Sequence, residues 1–166
     1  MFLQPEVAGV GFNEQDCHRL GIAYRCAVYA YELISRAQAM RGDSRQGFFK
    51  LIVTPDDEMK ILGMRAVGEH SSSAIQAVSL MIQEGISARK LADLVHPHPS
   101  IVEGIQECVR LLLGNSIMKL DAFPGLLHLR EWHPTPAAER AAEREKKELE
   151  ADPKMRSEVI INLPTE

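Results

Sequence analysis

The sequence has few cysteines, and they do not form a pattern. Its 166 residues contain three, and no two of them have Cys-x-x-Cys spacing. Three separate cysteines encode neither a disulfide framework nor a zinc knuckle, so we expect free, largely buried thiols.

The sequence also lacks an excess of positive charge and a long apolar run. It has 19 Lys and Arg against 23 Asp and Glu, a formal net charge of −4 at pH 7. This balance provides no basic surface for nucleic acid, and no run approaches the 18 or more apolar residues of a membrane span. The N-terminus shows no basic segment followed by an apolar one. We therefore expect a cytoplasmic protein that binds neither nucleic acid nor a membrane.

Strand patterns come first along the chain and helix patterns follow. The clearest strands are 47–53 and 60–67, and Thr54-Pro55-Asp56-Asp57 between them is typical of a hairpin turn. Three amphipathic helices follow, capped by Ser71 or Ser72, by Ser87 and by Ser100. This order predicts an α+β fold, an antiparallel sheet with helices packed on one face.

The composition changes near residue 120, and this divides the chain into two parts. Residues 1–120 have the strand and helix patterns, whereas nine of the fourteen residues in 137–150 are charged. We predict a first domain over 1–120 and a charged C-terminal extension over 121–166. The extension contains a helix at about 136–151 and either a strand at 157–163 or a disordered tail.

One segment places a histidine near a carboxylate. With Ser100 as a helix cap, His98 lies just outside the helix and Glu103 is its third residue. Two alternatives are open: Glu103 completes a capping box on the Ser100 amide, or it contacts the ring of His98. In the second case the carboxylate sets the tautomer and leaves the other ring nitrogen free to exchange a proton.

Two other patterns are weak indications of a site. Gly9 and Gly11 resemble the start of a dinucleotide fingerprint, but the third glycine is missing. His128 and His133 have no third ligand nearby, so no metal site is predicted and we interpret them as surface residues.

Four motifs in order give a more specific indication. They are Pro5-Glu6-Val7-Ala8 with Val10-Gly11 and Glu14, Gly47-Phe48 with Lys50-Leu51, Ile61-Leu62-Gly63 with Val67-Gly68, and His98-Pro99-Ser100 with Glu103. Over residues 3 to about 117 the chain resembles the C-terminal interface, or dimerisation, domain of the FAD-dependent pyridine nucleotide-disulfide oxidoreductases. Dihydrolipoamide dehydrogenase, mercuric reductase and soluble transhydrogenase belong to this group.

The resemblance implies a role for two residues. His98 becomes the acid/base that exchanges a proton with a redox thiol beside the flavin of the partner subunit, and Glu103 orients it. The full enzyme is then a homodimer that uses FAD and NAD(P). This chain shows no fingerprint for either cofactor, so we expect it to bind neither and to be inactive alone.

Three interpretations follow for the chain as a whole. In the first, the FAD- and NAD(P)-binding domains belong to the same or to a separately encoded polypeptide. The alternative is a free-standing dimerisation or scaffold module without catalysis of its own. The third, a small enzyme built around a metal, has the least support from the residues.

Overall fold

The structure is a computed structural model that describes residues 3–40 and 45–151, with side chains described as far as Lys147. The strands are β1 Val7–Gly11, β2 Tyr24–Ala30, β3 Phe48–Val53, β4 Ile61–Val67 and β5 Leu127–Trp132. The helices are α1 Glu14–Leu20, α2 Ser35–Ala39, α3 Ser71–Ala74, α4 Gln76–Gln83, α5 Arg89–Asp93, α6 Glu103–Leu112 and α7 Pro136–Ala151. Within the described ranges, no helix combines the length and apolar character needed to cross a membrane.

The five strands form one antiparallel sheet in the order β1-β4-β3-β2-β5. The predicted hairpin joins β3 to β4, and its turn is built around Asp56. One carboxylate oxygen of Asp56 accepts hydrogen bonds from the Thr54 hydroxyl at 2.7 Å and the Met59 amide at 3.1 Å. The predicted α+β fold with an antiparallel sheet is therefore confirmed.

The larger core lies between one face of the sheet and helices α2 to α6. The helices that follow the strands, α3 to α6, contribute to this core as predicted, whereas the earlier α1 packs on the other face. Cys17 and Leu20 of α1 are buried against the opposite face, where they meet Cys26 and Ile52. The physical reason is that β2 and β3 bury apolar side chains on both faces, and the second apolar patch requires its own cover.

Local sequence signals determine both ends of α1. Asn13 accepts from the amide of Asp16 at 2.8 Å, and the Asp16 carboxylate accepts from the amide of Asn13 at 3.0 Å. This reciprocal pair is a capping box. At the other end Gly21 has φ +63° and closes the helix.

Residues from the predicted extension complete the sheet. Strand β5 pairs with β2, with Cys26 opposite Arg130 and Val28 opposite His128. This strand is not among those that the sequence pattern predicts. Most of its side chains are exposed, because it is an edge strand that carries charged residues.

Helix α7 packs on α1 through a small contact. The Thr135 hydroxyl accepts from the Ala138 amide at the start of α7, and Arg19 donates to Glu145 at 2.9 Å. Ala142 is buried beside Gly21. As far as Lys147, where the described side chains end, α7 therefore joins the domain without a large apolar side chain. The predicted strand at 157–163 lies outside the described residues.

Candidate functional site

The helix that carries Glu103 begins later than the sequence indicates. The predicted cap is Ser100, but α6 starts at Glu103, with a bend at Ile101 and a turn at Val102 before it. The Ser100 hydroxyl has no hydrogen-bond partner within the described part of the chain. Its amide instead donates to Glu103 Oε2 at 2.7 Å. Only the glutamate half of the predicted capping box is present, because Ser100 lies too far ahead of the first turn to cap it.

The structure brings His98 and Glu103 together. Nδ1 of His98 lies 2.8 Å from Oε1 of Glu103, and the second oxygen is the one that accepts from the Ser100 amide. The two contacts that the sequence left as alternatives, to the Ser100 amide and to the His98 ring, are therefore both present, one at each oxygen of the same carboxylate.

The two side chains differ in exposure. The His98 side chain is 69% exposed, whereas that of Glu103 is 26% exposed. Among residues 3–40 and 45–151, no group bonds Nε2 of His98. Of the two ring nitrogens, Nδ1 is therefore bonded to the less exposed Glu103, and Nε2 is left without a partner in this part of the chain.

The environment of Glu103 favours its charged form. Partial burial raises the pKa of this carboxyl, but the hydrogen bonds from the Ser100 amide and from His98 outweigh burial, and the net pKa lies below the ordinary value of 4.5. The group is thus a carboxylate at neutral pH. A carboxylate on Nδ1 holds the proton of the neutral ring at that nitrogen and leaves the lone pair on Nε2.

A residue that the sequence analysis did not single out, Gln106, bonds the backbone that leads to His98. Gln106, 7% exposed, donates from Nε2 to the carbonyl oxygens of Ala92 and Leu94, each at 3.1 Å. His96, which has no assigned role from sequence, donates to the Leu91 carbonyl at 3.0 Å. The sequence feature that could have identified Gln106 is its spacing, because it lies one helical turn after Glu103.

A second polar cluster lies on the sheet face that α1 covers. Glu14 accepts from Lys50 Nζ at 2.6 Å and from Arg130 at 2.9 Å. Together with Cys26, Val28, Phe48 and His128 they line a cavity of about 190 Å³. The Glu14 carboxylate is thus paired with two cationic side chains, those of Lys50 and Arg130, and the cluster is an ion-pair network.

The three cysteines are free and buried. Burial raises the pKa of Cys17 to about 12 and that of Cys26 to about 11, and it raises the pKa of Cys108 further. These thiols are therefore protonated at neutral pH and poor nucleophiles.

The glycines of the weak dinucleotide pattern do not form a phosphate cradle. A Cβ on Gly11 would lie 2.3 Å from the Leu62 carbonyl oxygen, and one on Gly9 would lie 3.0 Å from the Arg65 side chain. The space that a phosphate needs beside a glycine is occupied here by the chain itself, so these residues do not fit the pyrophosphate of FAD or NAD(P).

Comparison with known proteins agrees with the resemblance. Residues 1–109 match the family described as the dimerisation domain of pyridine nucleotide-disulphide oxidoreductases. The chain belongs to this family. Similar proteins include dihydrolipoamide dehydrogenase of Chaetomium thermophilum, 30% identical over 117 residues, and dihydrolipoyl dehydrogenase of Staphylococcus aureus, 31% identical over 116 residues. A solved structure, LpdA from Mycobacterium tuberculosis, superposes with a TM-score of 0.61 at 25% identity.

These matches cover most of this chain and a small part of each relative. The two dehydrogenases align with 70% of the chain, which spans 23% and 24% of their lengths, and LpdA aligns with 67% of the chain and 24% of its own. The chain therefore corresponds to about a quarter of a relative.

Proposed function

We propose that this dimerisation domain supplies His98 as the acid/base of a disulfide oxidoreductase, with Glu103 as its orienting partner. In this proposal the domain is part of a homodimer, and His98 meets the flavin and the redox dithiol bound by the partner subunit. The observation that carries the proposal is the shared use of Glu103, which bonds Nδ1 of a largely exposed His98, while Nε2 has no partner among the described residues.

The geometry suits transfer of one proton at Nε2. With Nδ1–H bonded to Glu103, Nε2 of the neutral ring accepts a proton from a thiol, and the carboxylate stabilises the imidazolium that results. In the reverse direction the same nitrogen returns the proton to a thiolate. Glu103 itself stays ionised throughout, because its pKa is held below the ordinary value.

In this proposal the cofactors FAD and NAD(P) are bound by other domains of the enzyme. When bound, FAD carries the electron pair between the nicotinamide of NAD(P)H and the disulfide. Among the described residues, the glycine pair in β1 does not fit either pyrophosphate, so we assign cofactor binding to domains on the same or a separately encoded polypeptide. This chain contributes the proton chemistry and the subunit contact, and we expect the assembled enzyme to be cytoplasmic.

The test compares two half-reactions in the assembled enzyme that carries this domain. His98→Gln should slow the thiol-disulfide half-reaction by about 10²- to 10⁴-fold, the usual contribution of a positioned acid/base. Reduction of the flavin by the nicotinamide should change little, because it does not use this proton. Equal loss in both half-reactions would indicate damaged assembly and contradict the proposed role.

A further inference from the structure

The loop that carries His98 is held at both ends by the same face of α6. Residues 94–102 connect α5 to α6, and Glu103 contacts His98 and Ser100 in the second half of this loop. Gln106 contacts the near end, at Ala92 and Leu94. Residues three apart on a helix lie on the same face, so Glu103 and Gln106 act as two neighbouring attachments.

The contacts of Gln106 use both hydrogens of its amide. The last carbonyls of a helix have no partner within the helix, and the carbonyls of Ala92 and Leu94 lie at the C-terminal end of α5. Gln106 satisfies both of them at 3.1 Å. His96 satisfies a third, that of Leu91. The end of α5 and the start of the loop are therefore bonded to a buried side chain of α6.

We propose that Gln106 is a positioning residue for His98 in the function proposed above. Glu103 restrains the ring and the Ser100 amide but nothing before His98. Gln106 restrains the backbone four residues before His98, so the loop cannot swing about Ser100 and carry the ring away from Glu103. A buried amide costs free energy unless it is hydrogen bonded, and here the cost is offset by the two carbonyls that define the start of the loop.

The test uses the full 166-residue chain and the tautomer of neutral His98, read from ¹⁵N NMR of the imidazole. Gln106→Met keeps the length and apolar packing of the side chain and removes both donors. We expect the ratio of Nδ1–H to Nε2–H forms to fall by roughly threefold, the size of one net hydrogen bond. The backbone order parameters of residues 94–98 should also fall.

A matched control separates positioning from general stability. Glu107 is the next residue of α6, is 5% exposed, and bonds Arg110 and Ser116 away from the loop. Glu107→Gln should lower stability and leave the His98 tautomer unchanged. Gln106→Asn is the second variant, because it keeps the amide but is one methylene too short to reach both carbonyls. It should behave like Gln106→Met even if the methionine variant does not fold.

These experiments distinguish a failure of the Gln106 proposal from a failure of the proposed His98–Glu103 pair. An unchanged tautomer and unchanged order parameters in a folded Gln106 variant would overturn the positioning role and leave the His98–Glu103 pair intact. An unchanged tautomer in Glu103→Gln would show that there is no pair, which would overturn both proposals. A change in both variants, with none in Glu107→Gln, supports both.

Discussion

Nδ1 of His98 lies 2.8 Å from the carboxylate of Glu103, and the other oxygen of that carboxylate is bonded to the Ser100 amide. In Glu103→Gln only one oxygen remains, and the Ser100 N–H requires it. The amide NH₂ then faces Nδ1 of His98, which must be unprotonated to accept from it. We expect neutral His98 in this variant to shift from the Nδ1–H to the Nε2–H form, measured by ¹⁵N NMR of the imidazole.

The control for this variant is a second histidine-glutamate pair of equal length. His133 Nε2 lies 2.8 Å from Glu131, and both side chains are more than half exposed. Glu131→Gln should leave the His98 signals unchanged. The unfolding free energy of Glu103→Gln should be somewhat lower than the wild-type value at pH 7, because glutamine still accepts from the Ser100 amide but the charge that the folded state favours at this position is lost.

The sequence was sufficient for features that depend on residues close together in the chain. The α1 capping box needs only Asn13 and Asp16, and the hairpin turn needs only residues 54–59. The pair of His98 and Glu103 is also local, five residues apart. Short-range hydrogen bonds follow from backbone geometry, which explains why the predicted hairpin turn and the predicted contact of Glu103 with His98 agree with the structure.

The remaining features depend on contacts between distant residues. Strand β5 is recognised only by its pairing with β2, about 100 residues earlier, and its exposed edge gives no apolar pattern. In the sequence, Gln106 looks like any polar residue of a helix. Only the position of α5 brings two carbonyl oxygens within reach of its side chain. The tertiary arrangement, and not the intrinsic propensity of the residues, determines both the strand β5 and the contacts of Gln106.

The ion pairs of Glu14 predict a dependence of stability on pH. Burial raises the pKa of Glu14, but Lys50 and Arg130 outweigh it, and the net pKa lies below the ordinary 4.5. The folded state then binds fewer protons than the unfolded state as pH falls towards this range. The contribution of Glu14 to stability is therefore present above about pH 4.5 and is lost as pH falls through the folded-state pKa.

Glu14→Gln should remove this contribution. The unfolding free energy from urea titrations should be lower than that of the wild type at pH 7, and the difference should shrink towards pH 3. The control is Glu58→Gln, because Glu58 pairs with Lys60 at 3.2 Å while 67% exposed, and exposed pairs contribute little. An equal and pH-independent loss in both variants would contradict the role of Glu14.

The packing of α7 on α1 predicts an unusually costly glycine substitution. Gly21 has φ +63°, and a Cβ there would lie 2.9 Å from the Cβ of Ala142. Gly85 has φ +62° with nothing within 4 Å of its Cβ position. Gly85→Ala should cost about 1 kcal/mol from the left-handed backbone alone. Gly21→Ala should cost more, about 2–4 kcal/mol, because crowding against α7 adds to that strain.

A double variant isolates the contact. Ala142→Gly removes the methyl group that Gly21→Ala would meet, so the double variant should recover the crowding part and keep the backbone part. Ala142→Gly alone should cost about 1 kcal/mol because glycine destabilises a helix interior, so the cost of the double variant is measured against that single variant. On this scale it should approach the cost of Gly85→Ala in urea unfolding. Equal costs for the two single glycine variants would show that α7 does not pack on α1 in solution.

The occupied space beside Gly9 and Gly11 predicts that this chain alone binds neither FAD nor NAD(P)H. Equilibrium dialysis at micromolar cofactor should show no retained ligand, and the purified chain should have no flavin absorbance. A yellow preparation would contradict this prediction. The result bears on the assignment of cofactor binding to other domains and leaves the His98–Glu103 geometry unaffected.

Exposed apolar residues next to His98 predict where the subunits meet. Leu94 is 54% exposed and Val95 is 98% exposed, in the same loop as His98. If His98 reaches the partner subunit, these side chains lie at that contact, and an apolar side chain in an interface core loses its stabilising burial when it becomes polar.

Sedimentation at tens of micromolar should therefore show a dimer of the 166-residue chain, the symmetric pairing that most homodimers use. Val95→Ser should raise the dissociation constant by about tenfold, equivalent to ~1.4 kcal/mol. The control is Leu129→Ser on β5, a 42% exposed apolar residue outside the matched residues 1–109. This variant removes a similar apolar side chain, but one that is far along the sequence from the His98 loop. It should therefore leave the dissociation constant unchanged. A dimer that Leu129→Ser weakens and Val95→Ser does not would place the contact at the β5 edge and contradict an interface at the His98 loop.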